Sequence, residues 1–288
     1  MTRPESWPWS QGAYRPDGVA ERYRLVIALL SNVPVMGYET SVRLSPGGAC
    51  WDRLLFGVER RLLPMSRLHF LVDALGMPWE LKLHLFQGIE SARELLIGFE
   101  GSEESAESRI YVGYGSAGDP NAPQVSLRGF KWQQGPDDPV PVIRITEYSR
   151  LPSSKTSDDA ILCALSGKTD PSAQIVARML GMAAQAHASG RVEILAATES
   201  DSDRASLCLR APNCDIRLKD LFSEVQALLA AWGLLDAGHA ERLLAFSQRS
   251  IGWIATGVHG GGDPFITLYF EAGRNDVQSL IKAGAANA

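Results

Sequence analysis

Cysteine is scarce: four residues, Cys50, Cys163, Cys208 and Cys214, stand far apart with no C-x-x-C pair, beside five histidines in 288 residues. Such spacing makes neither a disulfide framework nor a zinc cage, and reduced thiols in a cytosolic protein are the simpler expectation. Long apolar runs are missing too. No stretch approaches the roughly 20 apolar residues of a spanning helix, and the polar, proline-rich start MTRPESWPWSQGAYRPDG lacks the apolar segment of a secretion signal. A cytoplasmic protein without a membrane partner is expected. Positive charge is not in excess: 28 Lys and Arg stand against 33 Asp and Glu, for a formal net charge of −5. This balance argues against a nucleic-acid partner and leaves room for local basic patches that hold a phosphorylated small molecule. The common catalytic and phosphate-binding loops are also lacking. No Walker loop or G-x-G-x-x-G stands between a strand and a helix. The run Gly257-Val258-His259-Gly260-Gly261-Gly262 has no G-x-S-x-G nucleophile to serve, because Tyr114 breaks the pattern two residues before Ser116. Asp137-Asp138 and Asp158-Asp159 fall in Pro/Ser-rich loops or at a helix start, where acids are favoured for other reasons.

What is present is a repeated unit. Hydrophobic residues make up 45% of the chain, enough for a sizeable core. The stretch ELLIGFEGSEESAESRIYVGYG, residues 94–115, sets two short apolar runs around a polar loop and reads as a β-hairpin, since helices of that length are marginal. The same pattern recurs as ETSVRLS with ACWDRLLFGVER, VSLRGFKWQQ with VPVIRITEYSR, VEILAATES with RASLCLRA, and the two arms of IGWIATGVHGGGDPFITLYFEAG. Helical stretches lie between the copies: 20–32, 66–76, 78–88, DDAILCALSG, PSAQIVARMLGMAAQAHASG, RLKDLFSEVQALLAAWG and AGHAERLLAFSQ. In the segment 78–88 the alternation of Leu81, Leu83 and Leu85 also fits a strand, but Pro78 at its start favours a helix.

Repetition of one unit calls for an architecture that buries every copy alike. A ten-stranded open sheet leaves two exposed edges, and closure removes them. The expected fold is therefore α+β: a closed ten-stranded antiparallel β-barrel surrounded by helices, in one domain, with an α+β sandwich on an open sheet as the alternative. Ten strands leave a lumen. Glu39, Ser41 and Arg43 alternate on one face of the first strand, and Arg53 lies on its partner. Facing inward, these charges need partners or a charged ligand; facing outward, they are simply solvated.

Several of these segments resemble the cyanobactin-type peptide prenyltransferases, built on the ABBA barrel of repeated helix–hairpin units. Glu39-Thr40-Ser41-Val42-Arg43 is similar to that family's strand E-x-S-x-K/R, and Arg53-Leu54-Leu55-Phe56 to its R-F-L-L-F strand. Gly98-Phe99, Ala106-Glu107-Ser108, Gly129-Phe130, Trp253 with Thr256, and Leu268-Tyr269-Phe270 resemble its later hairpins in the same order along most of the chain. The resemblance implies transfer of a dimethylallyl or geranyl group from its diphosphate, with Mg2+, to a nucleophile on a cyclic ribosomal peptide. By it, Glu39 positions and deprotonates the acceptor, and Arg43 and Arg53 hold the diphosphate. Tyr111, Tyr148 and Tyr269 shield the allylic cation. Glu193 and Glu271 fall where the acceptor is expected.

The sequence also departs from the family. Tyr111, Gly113 and Gly115 replace a lysine, histidine and arginine of the phosphate grip, and Arg109, Arg144 and Arg210 are the candidates to compensate. The small glycines also widen the prenyl pocket toward a geranyl donor. The added acids favour a cationic acceptor such as a guanidine, beside tyrosine or tryptophan. Two other functions stay open: a prenyltransferase of a small aromatic metabolite or amino acid, and a barrel that binds peptide or lipid without turnover. Nothing in the sequence demands more than a monomer.

Overall fold

The computed structural model describes residues 19–30, 32–51, 53–100, 107–114, 125–133, 140–151, 171–185, 193–199, 202–210, 214–258 and 263–273. The chain begins with α1 (Val19–Leu29), followed by β1 (Val35–Ser45), the short β2 (Gly48–Cys50) and β3 (Leu54–Glu59). Next come α2 (Met65–Ala74), α3 (Trp79–Gly88), β4 (Ala92–Glu100) and β5 (Glu107–Tyr114). β6 (Val125–Gln133) and β7 (Val142–Arg150) form the third hairpin, and α4 (Pro171–Gln185) precedes β8 (Glu193–Glu199) and β9 (Ser202–Arg210). The chain continues through α5 (Phe222–Ala231) and α6 (Ala237–Phe246) to β10 (Ile251–Val258) and β11 (Pro264–Ala272). The expected helix in DDAILCALSG and the residues Ala106 and Gly115 lie outside the described residues.

Each long strand pairs antiparallel with its neighbour in chain order, and β11 returns to pair with β1 from Tyr38↔Ala272 to Leu44↔Ile266. The expected closed ten-stranded barrel is therefore the fold, with β2 as a small flap on the end of β1. The first hairpin differs from its expected form. ACWDRLLFGVER is not one strand, because Arg43 pairs with Cys50 while Thr40 pairs with Leu54. Three residues thus oppose two, a bulge that bends the arm and delivers Arg53 to the lumen.

Alternation along the strands sorts the residues. Outward positions are apolar and take the helices. Phe56, Ile97, Ile110 and Phe130 pack under α1, α2 and α3 through Leu25, Leu68, Leu71, Leu81 and Leu85. On the other side Val42, Leu209, Ile254 and Leu268 pack under α4, α5 and α6 through Ile175, Met179, Val225, Leu228 and Leu243. Each such aliphatic side chain contributes about 1.5–3 kcal/mol by leaving water. The segment 78–88 is a helix: Leu81 and Leu85 are buried one turn apart while Leu83 is exposed, as a helical period requires and a strand does not. α2 stops where Gly76, at φ 66°, adopts the left-handed conformation. There its N–H donates to Asp73, and the Met77 N–H to Val72 at 2.9 Å. Among the described residues no helix is long and apolar enough to cross a membrane.

Gly98 of β4 shows how tightly the wall is built. A Cβ there would lie 2.8 Å from the Leu54 carbonyl oxygen and 2.6 Å from Leu55 Cδ1. Since a backbone atom of the adjacent strand cannot step aside, Gly98→Ala is expected to cost about 1–3 kcal/mol in chemical denaturation. An unchanged midpoint would contradict this packing.

Candidate functional site

The inward positions enclose a cavity of about 760 Å³, within the size range of small-molecule sites. Strand register divides its wall into three levels. The five hairpins turn at one rim, beyond Ser45, Glu100, Gln133, Glu199 and Val258, and the connections between hairpins leave from the other.

Near the turn rim the wall is cationic. Gly98, Arg109, Lys131 and Arg144 face one another in register across β4 to β7, so three positive side chains lie side by side. Like charges directly opposed are unfavourable on a sheet, and here carboxylates are interleaved with them. Glu107 Oε1 accepts from Arg109 Nε at 2.7 Å, and Arg144 also bonds Glu107. Glu199 takes Lys131 Nζ at 3.1 Å and the Thr146 hydroxyl at 2.8 Å. Glu100 meets Arg43 Nη1 at 3.0 Å, Arg53 Nη2 at 3.1 Å and the Arg109 guanidinium. Burial, together with the nearby Arg53 and Arg43, lowers the Arg109 pKa to about 10, which leaves it charged at neutral pH. Arg53 is only 5% exposed, yet its Nε and Nη1 have no hydrogen-bond partner. Unsatisfied buried donors on a cation are costly, and an anion in the cavity would satisfy them.

The waist is aromatic. Tyr111 and Tyr148 meet edge to face, their centroids 6.1 Å apart. Gly129, directly opposite Tyr111, is the space into which that ring folds: a Cβ there would lie 2.7 Å from Tyr111 Cε1. The Tyr269 ring carries the Arg53 guanidinium 5.7 Å from its centroid, and burial raises the Tyr269 pKa so that the phenol stays neutral. Leu55, Leu96, Leu127, Leu195, Cys208 and Trp253 complete the lining.

Toward the other rim the wall turns acidic. Glu39 lies directly opposite Glu271 across the closing seam, with Glu94 nearby. Burial raises the Glu39 pKa to about 7; Arg210 opposes the shift, and Glu271 and Glu94 add to it. Burial also raises the Glu94 pKa. Glu193 is held by Arg150 at 3.0 Å and Arg210 at 3.7 Å, while Arg210 also lies over the Trp253 ring at 5.4 Å.

The expected residues therefore fall into two groups and a waist. Arg43, Arg53, Arg109 and Arg144 cluster, Tyr111, Tyr148 and Tyr269 lie beyond them, and Glu39, Glu193 and Glu271 share the far end. Arg210 lies apart from that cluster: it pairs with Glu193 and lies over Trp253 at the acidic end. Sequence reasoning passed over Glu100, Glu107, Lys131, Glu199 and Arg150. The signal for Lys131 was its two-residue offset from Gly129, whose partner Tyr111 faces inward.

No sequence family model matches the chain, and no curated protein is significantly similar to it. Solved structures do match in chain path. AnaPT from Neosartorya fischeri is 11% identical with a TM-score of 0.47, over 81% of this chain and 77% of its own. NotF prenyltransferase is 10% identical with a TM-score of 0.47, over 82% of this chain and 80% of its own. NotF in complex with brevianamide F and DMSPP is 10% identical with a TM-score of 0.48, over 82% and 79%.

A carboxyl whose pKa is higher folded than unfolded binds its proton more tightly in the native state. Its contribution is intact below the unfolded value and is lost as pH rises toward about 7. Replacing Glu39 with glutamine removes that loss. Glu39→Gln should therefore melt higher than the parent at pH 8, by about 1–2 kcal/mol after allowing for solvent in the cavity, and nearly match it at pH 5. A stability difference that does not vary with pH would contradict the shift.

Proposed function

We propose that this protein is a prenyltransferase that moves a dimethylallyl or geranyl group from its diphosphate to a nucleophilic side chain of a peptide. The observation that carries the reading is Arg53: a buried guanidinium with two unbonded N–H groups, beside Arg43 and Arg109, on the wall of a cavity whose waist is tyrosine. Guanidinium forks suit phosphate oxygens, and aromatic faces stabilise a neighbouring cation.

In this reading the diphosphate lies against Arg43, Arg53 and Arg109, with Lys131 and Arg144 flanking. The C1–O bond of the donor breaks and its electron pair leaves on the diphosphate, where the cations stabilise the developing charge. The prenyl chain spans the waist, and the allylic cation is sheltered by Tyr111, Tyr148 and Tyr269. The acceptor enters from the acidic end. Its nucleophile forms a new bond to C1, and the proton it sheds passes to Glu39, whose pKa near 7 suits a general base at neutral pH. Glu39, Glu94 and Glu271 form no ion pair among the described residues, so a basic peptide side chain is a favoured acceptor. The aromatic lining that includes Trp253 supports a second reading, transfer to a small aromatic metabolite or amino acid.

Magnesium is expected from the family resemblance, but the residues present do not fit a cage for it. Among the described residues no three His, Cys, Asp or Glu side chains converge on one point, and Glu100, Glu107 and Glu199 are committed to Arg and Lys.

The test is incubation of the full chain with dimethylallyl or geranyl diphosphate and magnesium, against basic, tyrosine- and tryptophan-containing cyclic peptides and free tryptophan. A mass gain of one prenyl unit on a peptide supports the first reading, and a gain on tryptophan alone supports the second. No diphosphate release with any acceptor would overturn both. Glu39→Gln should lower kcat by about 10²-fold with donor affinity unchanged, since it removes a proton acceptor and no phosphate contact. Arg53→Met should instead weaken donor binding by about tenfold or more. If Glu39→Gln abolished donor binding, its assignment as base would be wrong.

A further inference from the structure

The cationic end contains a feature that a phosphate grip alone does not call for. Glu100 ends β4 with its side chain inward and only 11% exposed, and it is the one carboxylate among the described residues that touches three guanidiniums. Its Oε1 receives a hydrogen bond from Arg43 Nη1 at 3.0 Å. Its Oε2 stands within ion-pair distance of both Arg53 and Arg109. Arg53 nevertheless leaves Nε and Nη1 unbonded. Charge is matched here, but the donors of Arg53 are not all filled.

A single flat carboxylate offers two oxygens and cannot fill the donors of three guanidinium forks, whereas a phosphate offers three oxygens in a tetrahedral array. Three guanidiniums gathered here, Arg53 and Arg109 buried and Arg43 partly so, would repel one another without an anion, because a lowered local dielectric magnifies like-charge contact. Glu100 relieves that repulsion in the free protein and leaves the cluster incompletely satisfied.

We propose that Glu100 is a built-in counter-anion: it holds Arg43, Arg53 and Arg109 together while the site is empty and competes with an incoming diphosphate for the same donors. The proposal rests on the assignment of these arginines to the diphosphate. It adds that the protein carries its own competitor, which limits affinity for the donor and, by the same competition, for the diphosphate released after transfer. Glu107 has a different part. It accepts from Arg109 with good geometry on the side toward Arg144, so it orients Arg109 and does not stand in for the ligand.

The test uses inorganic pyrophosphate in metal-free buffer, titrated calorimetrically into the full chain. Glu100→Gln keeps the side chain's size and removes its charge. It should bind pyrophosphate about tenfold or more tightly than the parent, because an anion no longer competes. Without ligand the variant should melt lower than the parent, and pyrophosphate should raise its Tm by more. Affinity equal to or weaker than the parent's, with the parent still binding, would overturn the competitor role and leave the anion site standing. Should Glu100→Gln fail to fold, Glu100→Asp serves in its place. Its carboxylate is one methylene shorter and reaches the cluster less well, so its affinity should also exceed the parent's; an unchanged or lower value overturns the proposal. Pyrophosphate carries no prenyl group, so tighter binding by the variant stands even if no prenyl transfer is found. Absence of binding by both parent and variant, or full binding by Arg53→Met, would remove the anion site itself and the proposal with it.

Discussion

The pairing of β1 with β11 is the constraint on which the rest depends. It removes the two edges that a ten-stranded sheet would expose, and it brings the first and last strands of the barrel into one seam. Across that seam Glu39 faces Glu271, Ser41 faces Tyr269, and Arg43 faces Thr267. One stretch of ladder thus supplies side chains to the acidic end, the waist and the cationic end together. A slip of β1 by one residue would turn Glu39, Ser41 and Arg43 outward and bring Val42 and Leu44 into the lumen, so the apolar packing under the helices fixes the register of the site.

The division between outward and inward faces also explains why the interior tolerates so much charge. Stability comes from the two apolar clusters between sheet and helices, and the charged and aromatic side chains are gathered in the lumen. At the cationic end the cost of buried charge is offset by interleaved carboxylates. At the other end no such pairing holds Glu39, and its raised pKa records the difference. Tyr111, Tyr148 and Tyr269 lie between the two ends.

Much of this order was legible in the sequence because each hairpin carries its own signal. Alternating apolar residues around a polar loop define β4 with β5, and the GGGDP segment does the same for β10 with β11. Proline and glycine marked the ends of α2 and α3. Alternation also put Glu39, Ser41 and Arg43 on one face of the first strand, while its inward facing and the place of Tyr269 beside it came from the family resemblance alone. What it could not supply is height along the barrel axis. Arg210 and Arg109 both face inward, and only their partners in the folded barrel set them apart, Glu193 for one and Glu100 with Glu107 for the other. The bulge before Leu54 was hidden because ACWDRLLFGVER reads as a single strand arm, with no proline or glycine at the break to mark it. Glu100, Glu107 and Glu199 escaped notice because an acid at a strand end beside a polar turn looks solvated until the opposing strands bring arginines and a lysine against it.

The two rims of the barrel differ in how the chain crosses them. Each hairpin closes at the rim beside the arginines and Lys131, and each excursion between hairpins, where α2 to α6 lie, departs from the rim beside Glu39. The polypeptide therefore turns back sharply beside the guanidiniums and carries its longer connections beside the carboxylates. Insertions and deletions between hairpins can reshape what approaches the carboxylates without disturbing the spacing of the guanidiniums.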